Sequence, residues 1–377
     1  MRWRKVSSVL SRPGLRLIVA EQMNELNVLV LSRVGLPGTF FESITGIDPG
    51  ISLKDGSRQL AEWLRKGGKT GRAVERLERA APPIESDVPG VREDFLSMLA
   101  EAEVIFDTLL LPNNLPHLAP RLRWVHLGSS GLDAYLPSGV FESDITITNS
   151  RGAHAVAMAE HAFGFIFMLA KRAERLLENK REKRWDRFAT MELREKTLGL
   201  VGLGAIGTET ARLGKGIGMK VVATRKTALT RQADVAGVDE VYPVSELCEM
   251  LARSDIVVIA APLTSETRGM IGEKELRSMK TGAYLINIAR GPIVNESCLV
   301  RALKEGWIAG AGLDVFETEP LPVENELWML PNVVLSSHGS PESDNHDQRT
   351  LDLFCDNLKR YLRNEPLRNV IERNKGY

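Results

Sequence analysis

From Thr197 to Ser337 the chain alternates short apolar runs with amphipathic stretches, and this alternation limits its fold more than any other feature. The runs are "TLGLVG", "KVVAT", "DIVVIA", "AYLINI", "AGLDV" and "NVVLSS". Between them stand "GTETARLGKGIG", "VSELCEML", "EKELRSMK" and "ESCLVRALKEG". A run that is apolar throughout, rather than at every second residue, belongs to a strand buried on both faces. Helices between such strands cover both faces and allow parallel crossovers, so the pattern predicts a doubly wound parallel α/β sheet. The first half repeats it more weakly. There "NVLVLS", "AEVIFD", "LRWVHL" and "ITITNS" read as strands, with helices expected around Phe95 to Ala100 and Ala119 to Arg121. A chain of 377 residues is long enough to give each of two domains its own core.

Between Arg33 and Gly90 lies a stretch rich in Gly, Pro and charge, read as an insert with two helix candidates, "SRQLAEWLRK" and "RAVERLERA". The segment "AVAMAEHAFGFIFMLAKRAERLLENKR", Ala155 to Arg181, predicts one long helix that links the domains and offers an apolar face to a second subunit. After His338, "QRTLDLFCDNLKRYLRNE" resumes helix and is expected to return to the first domain. The organisation is then a basic extension over 1–22, a substrate domain from 23–151 plus 342–377, and a nucleotide-binding domain over 152–341, with a cleft between. Residues 1–22 carry Arg2, Arg4, Lys5, Arg12 and Arg16 with no acid before Glu21. An organelle-targeting peptide has this character, but a basic tail, or a true start at Met23, fits better.

Lys plus Arg equals Asp plus Glu at 49 each, so no global field recruits nucleic acid or a membrane surface. The longest apolar run, "HAFGFIFMLA", is too short to cross a bilayer. Cys248, Cys298 and Cys355 stand far apart with no metal-binding spacing. They read as small core residues of a protein in a reducing, cytoplasmic compartment that binds no metal.

Open parallel sheets bind ligands beyond the carboxyl ends of their strands. The residues just after each strand therefore form the list of candidates: Gly202, Gly204 and Gly207, then Arg225, Pro262, Arg290, Asp314 with Glu319, and His338. A G-x-G-x-x-G spacing alone is weak, but "GLVGLGAIG" follows a strand and opens a helix, the context that lets pyrophosphate approach the helix N-terminus. About 20 residues later an acid usually accepts hydrogen bonds from a ribose diol. Here "KVVAT" runs instead into Arg225 and Lys226, which suits a ribose 2′-phosphate unless the pair is a solvated turn.

A lone histidine such as His338 is more often structural than catalytic. Glu319 alters that weighing, because a carboxylate beside an imidazole favours the protonated ring needed for a general acid. Arg290 is either a surface ion pair or a two-pronged clamp on a small carboxylate. Asp314 either caps the turn that follows it or receives a nicotinamide amide.

With these motifs in hand, the sequence resembles the D-isomer-specific 2-hydroxyacid dehydrogenases from about Leu122 to its end. The resemblance rests on "GLVGLGAIG", "APLTSETRGMIG", "INIARGPIV", "AGLDVFETEPLP" and "NVVLSSHGS" in that order. It implies a Rossmann nucleotide-binding domain beside a flavodoxin-like substrate domain, and a homodimer built through the former. The family's arginine, glutamate and proton-donating histidine fall on Arg290, Glu319 and His338. Its cofactor positions extend to Ala205, Ile206, Thr267, Ile288, Ala289 and Gly339, and its substrate loop resembles "GSSGLD", with the amides of Ser130 and Gly131 at the substrate. The chain departs from the family in its leader, its insert and its missing ribose acid. It also has "SSHGS" in place of the more usual Thr-Pro before the histidine, and Asn295 where an acid is common.

The expected activity is reduction of a small 2-oxo acid, glyoxylate or hydroxypyruvate, to a D-2-hydroxy acid with NADPH, NAD being the other cofactor admitted. Two alternatives use the same fold. One is a dimeric interaction protein that senses the cofactor without turnover; the other is a phosphite-type dehydrogenase. Formate is disfavoured because formate enzymes of this lineage carry glutamine where Glu319 stands. A regulatory serine-biosynthesis enzyme is less expected, since no further domain follows Tyr377.

Overall fold

The computed structural model describes residues 25–32, 36–66, 91–108, 110–235 and 237–372. The basic leader and the helix candidate "RAVERLERA" lie outside those residues. The first sheet contains β1 (Leu26–Leu31), β2 (Ile51–Asp55), β3 (Val104–Asp107), β4 (Trp124–Leu127) and β5 (Thr146–Asn149), parallel throughout in the order β2-β1-β3-β4-β5. That is the flavodoxin-like order. Its crossovers are α1 (Gly38–Thr45), α2 (Ser57–Lys66), α3 (Val91–Glu101) and α4 (Leu115–Leu118). The alternation of β1 shows why the run is apolar throughout. Leu29 and Leu31 pack on one side with Leu60 and Phe95, while Leu26, Val28 and Val30 pack on the other with Phe40 and Ile44.

The second sheet contains β6 (Thr197–Val201), β7 (Lys220–Thr224), β8 (Gln232–Val235), β9 (Val238–Tyr242), β10 (Ile256–Ile259), β11 (Tyr284–Asn287), β12 (Gly310–Leu313) and β13 (Val333–Leu335). Its order is β13-β12-β11-β10-β6-β7-β9-β8, with β8 alone antiparallel. The helices are α5 (Ala155–Ala170), α6 (Ala173–Arg181), α7 (Ala205–Ile217), α8 (Leu247–Arg253), α9 (Glu273–Ser278), α10 (Glu296–Lys304) and α11 (His346–Leu362). Leu351, Phe354 and Leu358 of α11 pack into the first sheet, where Phe354 stacks on Phe106 at 4.5 Å between centroids. The C-terminal helix therefore covers the sheet with which the chain began.

Several expectations are corrected. Part of the supposed insert is regular, since α1 and β2 complete the first parallel crossover. "ISLKD" was hidden because β2 is a half-buried edge strand and needs little apolar content. The strands β8 and β9 were missed for a similar reason: they close the other edge with charged residues among the apolar ones. The helix expected at Ala119 to Arg121 ends earlier, at Leu118. The long helix from Ala155 breaks into α5 and α6 at Arg172, whose φ of 52° is left-handed. The cysteines are unpaired and half-buried, with Cys298 and Cys355 packed against the cores and Cys248 outside them. Asn295, the departure noted above, caps α10 by accepting the Cys298 amide at 3.0 Å.

Candidate active site

After β6 the chain winds outward through β7, then returns to form β10 on the other side of β6. The crevice at this switch point is where an open α/β sheet receives a nucleotide. Gly202 turns the chain there with φ 103°, and a Cβ built on it would lie 2.8 Å from the Ala261 amide nitrogen. A Cβ on Gly207 would lie 2.2 Å from the Gly202 oxygen. Both positions exclude a side chain, so the turn packs tightly and α7 starts at Ala205. Gly204, its N-cap, is exposed with nothing within 4 Å of a built Cβ, and Ala205 is exposed beside it. The first amides of α7 therefore open onto space that a pyrophosphate fits.

Arg225 and Lys226 follow β7 and are both exposed. They are not equivalent. Lys226 Nζ pairs with Glu266 at 2.5 Å, joining the loop after β7 to the loop after β10 across the end of β6. Arg225 makes no ion pair among the described residues. Pro262 is exposed at the mouth, and its carbonyl accepts the Thr267 hydroxyl at 2.7 Å, while the Thr264 amide donates to that hydroxyl at 2.8 Å. Thr267 thus closes its own loop. Ile288 and Ala289 bury their side chains in the two cores of this sheet, so only their backbone can meet a cofactor.

His338 follows β13 in a left-handed turn, φ 54°. Its Nδ1 lies 3.1 Å from Glu319 Oε2, and the other oxygen of Glu319 accepts the Phe316 amide at 2.8 Å. Both side chains are partly exposed, at 24% and 19%. Asp314 lies beneath them, fully buried. Its carbonyl accepts the His338 amide at 2.7 Å, and its carboxylate accepts the Gly339 amide at 2.7 Å and the Ser340 amide at 3.0 Å. Burial pushes this carboxyl upward. Hydrogen bonds from Ser336, Ser340 and Gly339 outweigh it and hold the group below the usual carboxylate range. Of the two roles expected for Asp314, capping the turn is the one visible in its own contacts.

Arg290 ends β11, with Asn287 Nδ2 donating to its carbonyl at 3.1 Å and its own Nη1 donating to the Ala289 carbonyl at 2.8 Å. It reaches the other sheet: a Cβ built on Gly131 would lie 1.9 Å from Arg290 Nη2. The loop after β4 therefore meets the guanidinium end on at Nη2, and glycine is what allows it. The Gly131 amide donates to Ser129 Oγ at 3.1 Å, and the Ser130 carbonyl accepts Asn149 Nδ2 at 3.0 Å. Of the two amides expected at the substrate, that of Gly131 is taken within its own loop.

Ser129, Asn149, Ser336 and His161 help build the site and were not among the expected residues. Ser336 stands two residues before the histidine, and its hydroxyl was the available signal. His161 lay inside an apolar helical run, and nothing in the local sequence marked it.

Fold and site together define an oxidoreductase that places a nicotinamide dinucleotide against a small carboxylate-bearing substrate. The family model for the D-isomer specific 2-hydroxyacid dehydrogenase NAD-binding domain matches residues 163–340. A glyoxylate reductase of Thermofilum pendens is 37% identical over 287 residues, 74% of this chain and 84% of that protein. A D-3-phosphoglycerate dehydrogenase of Archaeoglobus fulgidus is 30% identical over 84% of this chain but 57% of its own length. Among solved structures, a D-isomer specific 2-hydroxyacid dehydrogenase from Xanthobacter autotrophicus Py2, in complex with NADPH and MES, superposes with a TM-score of 0.71 at 26% identity. That match covers 94% of this chain and all of the other. The chain belongs to the D-isomer-specific 2-hydroxyacid dehydrogenase family. It is an NAD(P)-dependent enzyme acting on 2-oxo and 2-hydroxy acids.

Proposed function

We propose that the protein reduces a small 2-oxo acid of the glyoxylate or hydroxypyruvate type, with NADPH as the preferred cofactor. Residues 23–151 and 342–377 form the substrate domain and 152–341 the nucleotide domain in this proposal. The observation that carries it is the meeting of Arg290 with Gly131 on one side and the 3.1 Å His338–Glu319 contact on the other. The relatives named glyoxylate reductase support the substrate class.

Arg290 holds the substrate carboxylate and polarises the adjacent carbonyl, with the Ser130 amide beside it. Bound NADPH supplies the hydride for C2. His338 turns Nδ1 to Glu319, and its Nε2 is the atom assigned to give a proton to the carbonyl oxygen. Glu319 orients the ring, while the Phe316 amide fixes the carboxylate itself. Positioning and fixed charge carry the rate contributed by the protein. The substrate range is tested by turnover of NADPH with glyoxylate, hydroxypyruvate and larger 2-oxo acids. Activity confined to the larger acids overturns the small-acid assignment.

The nucleotide domain also serves as the homodimer interface. Phe167, Met168, Leu176 and Leu177 are exposed on α5 and α6, an apolar surface suited to a second copy. Sedimentation at micromolar concentration tests this; a monomer that turns over at full rate overturns it.

A further inference from the structure

We infer that His161, on α5, is a positioning residue for the proton donor, acting through Ser336 and Asp314. The inference rests on the proposed role of His338 as general acid. Its basis is a close approach between helix and sheet. Gly312 of β12 has no side chain, and a Cβ built there would lie 2.7 Å from Phe165 Cβ, so α5 lies directly on that strand. His161 is one helical turn before Phe165 and meets its ring edge-on at 4.8 Å. Asp314 lies two residues after Gly312 and so faces the same side of the sheet. The register pairs Gly312 with Val334 and Leu313 with Leu335, which sets Ser336 beside Asp314 as both strands end. The sequence thus brings three polar groups together at the edge that carries His338.

Their hydrogen bonds have one consistent direction. Ser336 Oγ donates to Asp314 Oδ1 at 2.6 Å. An ionised carboxylate only accepts, so the single hydroxyl hydrogen of Ser336 is used there. The 3.0 Å contact between His161 Nε2 and Ser336 Oγ therefore has the imidazole N–H as donor. Donor by donor, the chain runs from His161 to Ser336 to Asp314, and Asp314 grips the Gly339 and Ser340 amides that directly follow His338. The His338 backbone is held left-handed by this grip, a conformation that a residue with a Cβ keeps only when its surroundings impose it. Ser336, standing where the family more usually has threonine, carries the hydroxyl that this chain of donors requires.

A donor lost at His161 lets the Ser336 hydroxyl turn away and loosens the turn, without touching substrate or cofactor. The expected signature is a fall in kcat of about tenfold in His161→Leu, the effect of roughly one hydrogen bond, with KM for glyoxylate and Kd for NADPH unchanged. His161→Gln presents an amide N–H near the position of Nε2 and should recover most of that loss. Ser336→Ala breaks this link and the Ser336–Asp314 bond without altering α5, and should lose at least as much kcat as His161→Leu, which keeps the test intact if the leucine variant misfolds. Equal kcat in His161→Leu and the unmodified enzyme, or equal impairment of the Leu and Gln variants, overturns the inference. His338→Ala is assayed beside them. If it retains near-native turnover, the assignment of the acid has failed instead, and the two failures are separate.

Discussion

Glu319 Oε2 stands 3.1 Å from His338 Nδ1, while its second oxygen is fixed by the Phe316 amide at 2.8 Å. The carboxylate is therefore immobilised before it orients the ring. Replacing His338 by alanine should lower the reduction rate by about 10²–10⁴-fold, the usual contribution of a positioned acid, with NADPH affinity nearly unchanged. Glu319→Gln retains hydrogen bonding but removes the carboxylate charge beside the ring, so its loss should be smaller and lie in kcat. The measurement is single-turnover reduction with glyoxylate. A glutamine variant as fast as the parent would mean that orientation alone is required.

Arg290 and Gly131 should behave as one unit. Arg290→Lys keeps the charge but not the two-pronged contact. At about 1.5–3 kcal/mol for a hydrogen bond to a charged group, kcat/KM for the oxo acid should fall roughly 10- to 100-fold. Gly131→Ala places a methyl where Nη2 lies, so the guanidinium must move and the same loss should appear with arginine still present. The double variant should be little worse than either single one, because both remove one contact. Additive losses would separate the two residues and leave Arg290 as a surface ion pair.

His126 gives a pH test remote from the chemistry. It is fully buried between β3 and β5, held by Thr148 Oγ1 at 2.8 Å and Ser150 Oγ at 3.1 Å. Burial disfavours its charged form and pushes its pKa down to about 3. The unfolded ring takes up a proton below about pH 6.5 while the folded one does not. Stability is therefore fully present above that pH and is lost as pH falls toward 3. The slope from this group is about 1.4 kcal/mol per pH unit. Urea midpoints for the first sheet should drop between pH 6.5 and 5, and His126→Gln should flatten that drop. The same slope in both proteins would assign it to other groups.

What the sequence disclosed follows the physics of burial. Strands buried on both faces, such as β1 and β10, are continuous apolar runs and were recognised. Edge strands β2 and β8, and β9 beside the latter, carry exposed charged or polar residues, so charge diluted their signal. The residues that end strands at the ligand-binding edge could be named, because position along a parallel sheet specifies them: Arg290, Asp314 and His338 all fall there. Contacts made across the fold could not. Nothing near Gly131 in sequence shows that an arginine 159 positions away occupies the space of its missing side chain. His161 likewise acquires its partner only when Phe165 settles on Gly312.

The cofactor prediction turns on the inequality of Arg225 and Lys226. Lys226 already has a counterion in Glu266, both side chains being more than 60% exposed, whereas Arg225 has none among the described residues. A ribose 2′-phosphate must displace Glu266 to reach Lys226 but meets Arg225 directly. Arg225→Ala should therefore reduce the preference for NADPH over NADH by about one to two decades, from about 1.5–3 kcal/mol of charge-assisted hydrogen bonding. Lys226→Ala should cost less. Glu266→Gln removes a competing anion and should strengthen NADPH binding severalfold, since exposed pairs contribute roughly 0.2–1 kcal/mol, and leave NADH almost unaffected. Arg225→Asp should invert the preference by repelling phosphate and accepting the ribose diol. Rising salt should weaken NADPH more than NADH, because these charges face solvent. Dissociation constants for both cofactors across the four variants measure all of this. Equal constants in the unmodified enzyme would show that the cations only face water and that the NADPH preference is wrong. A preference lost more in Lys226→Ala than in Arg225→Ala would place the phosphate on the paired lysine instead.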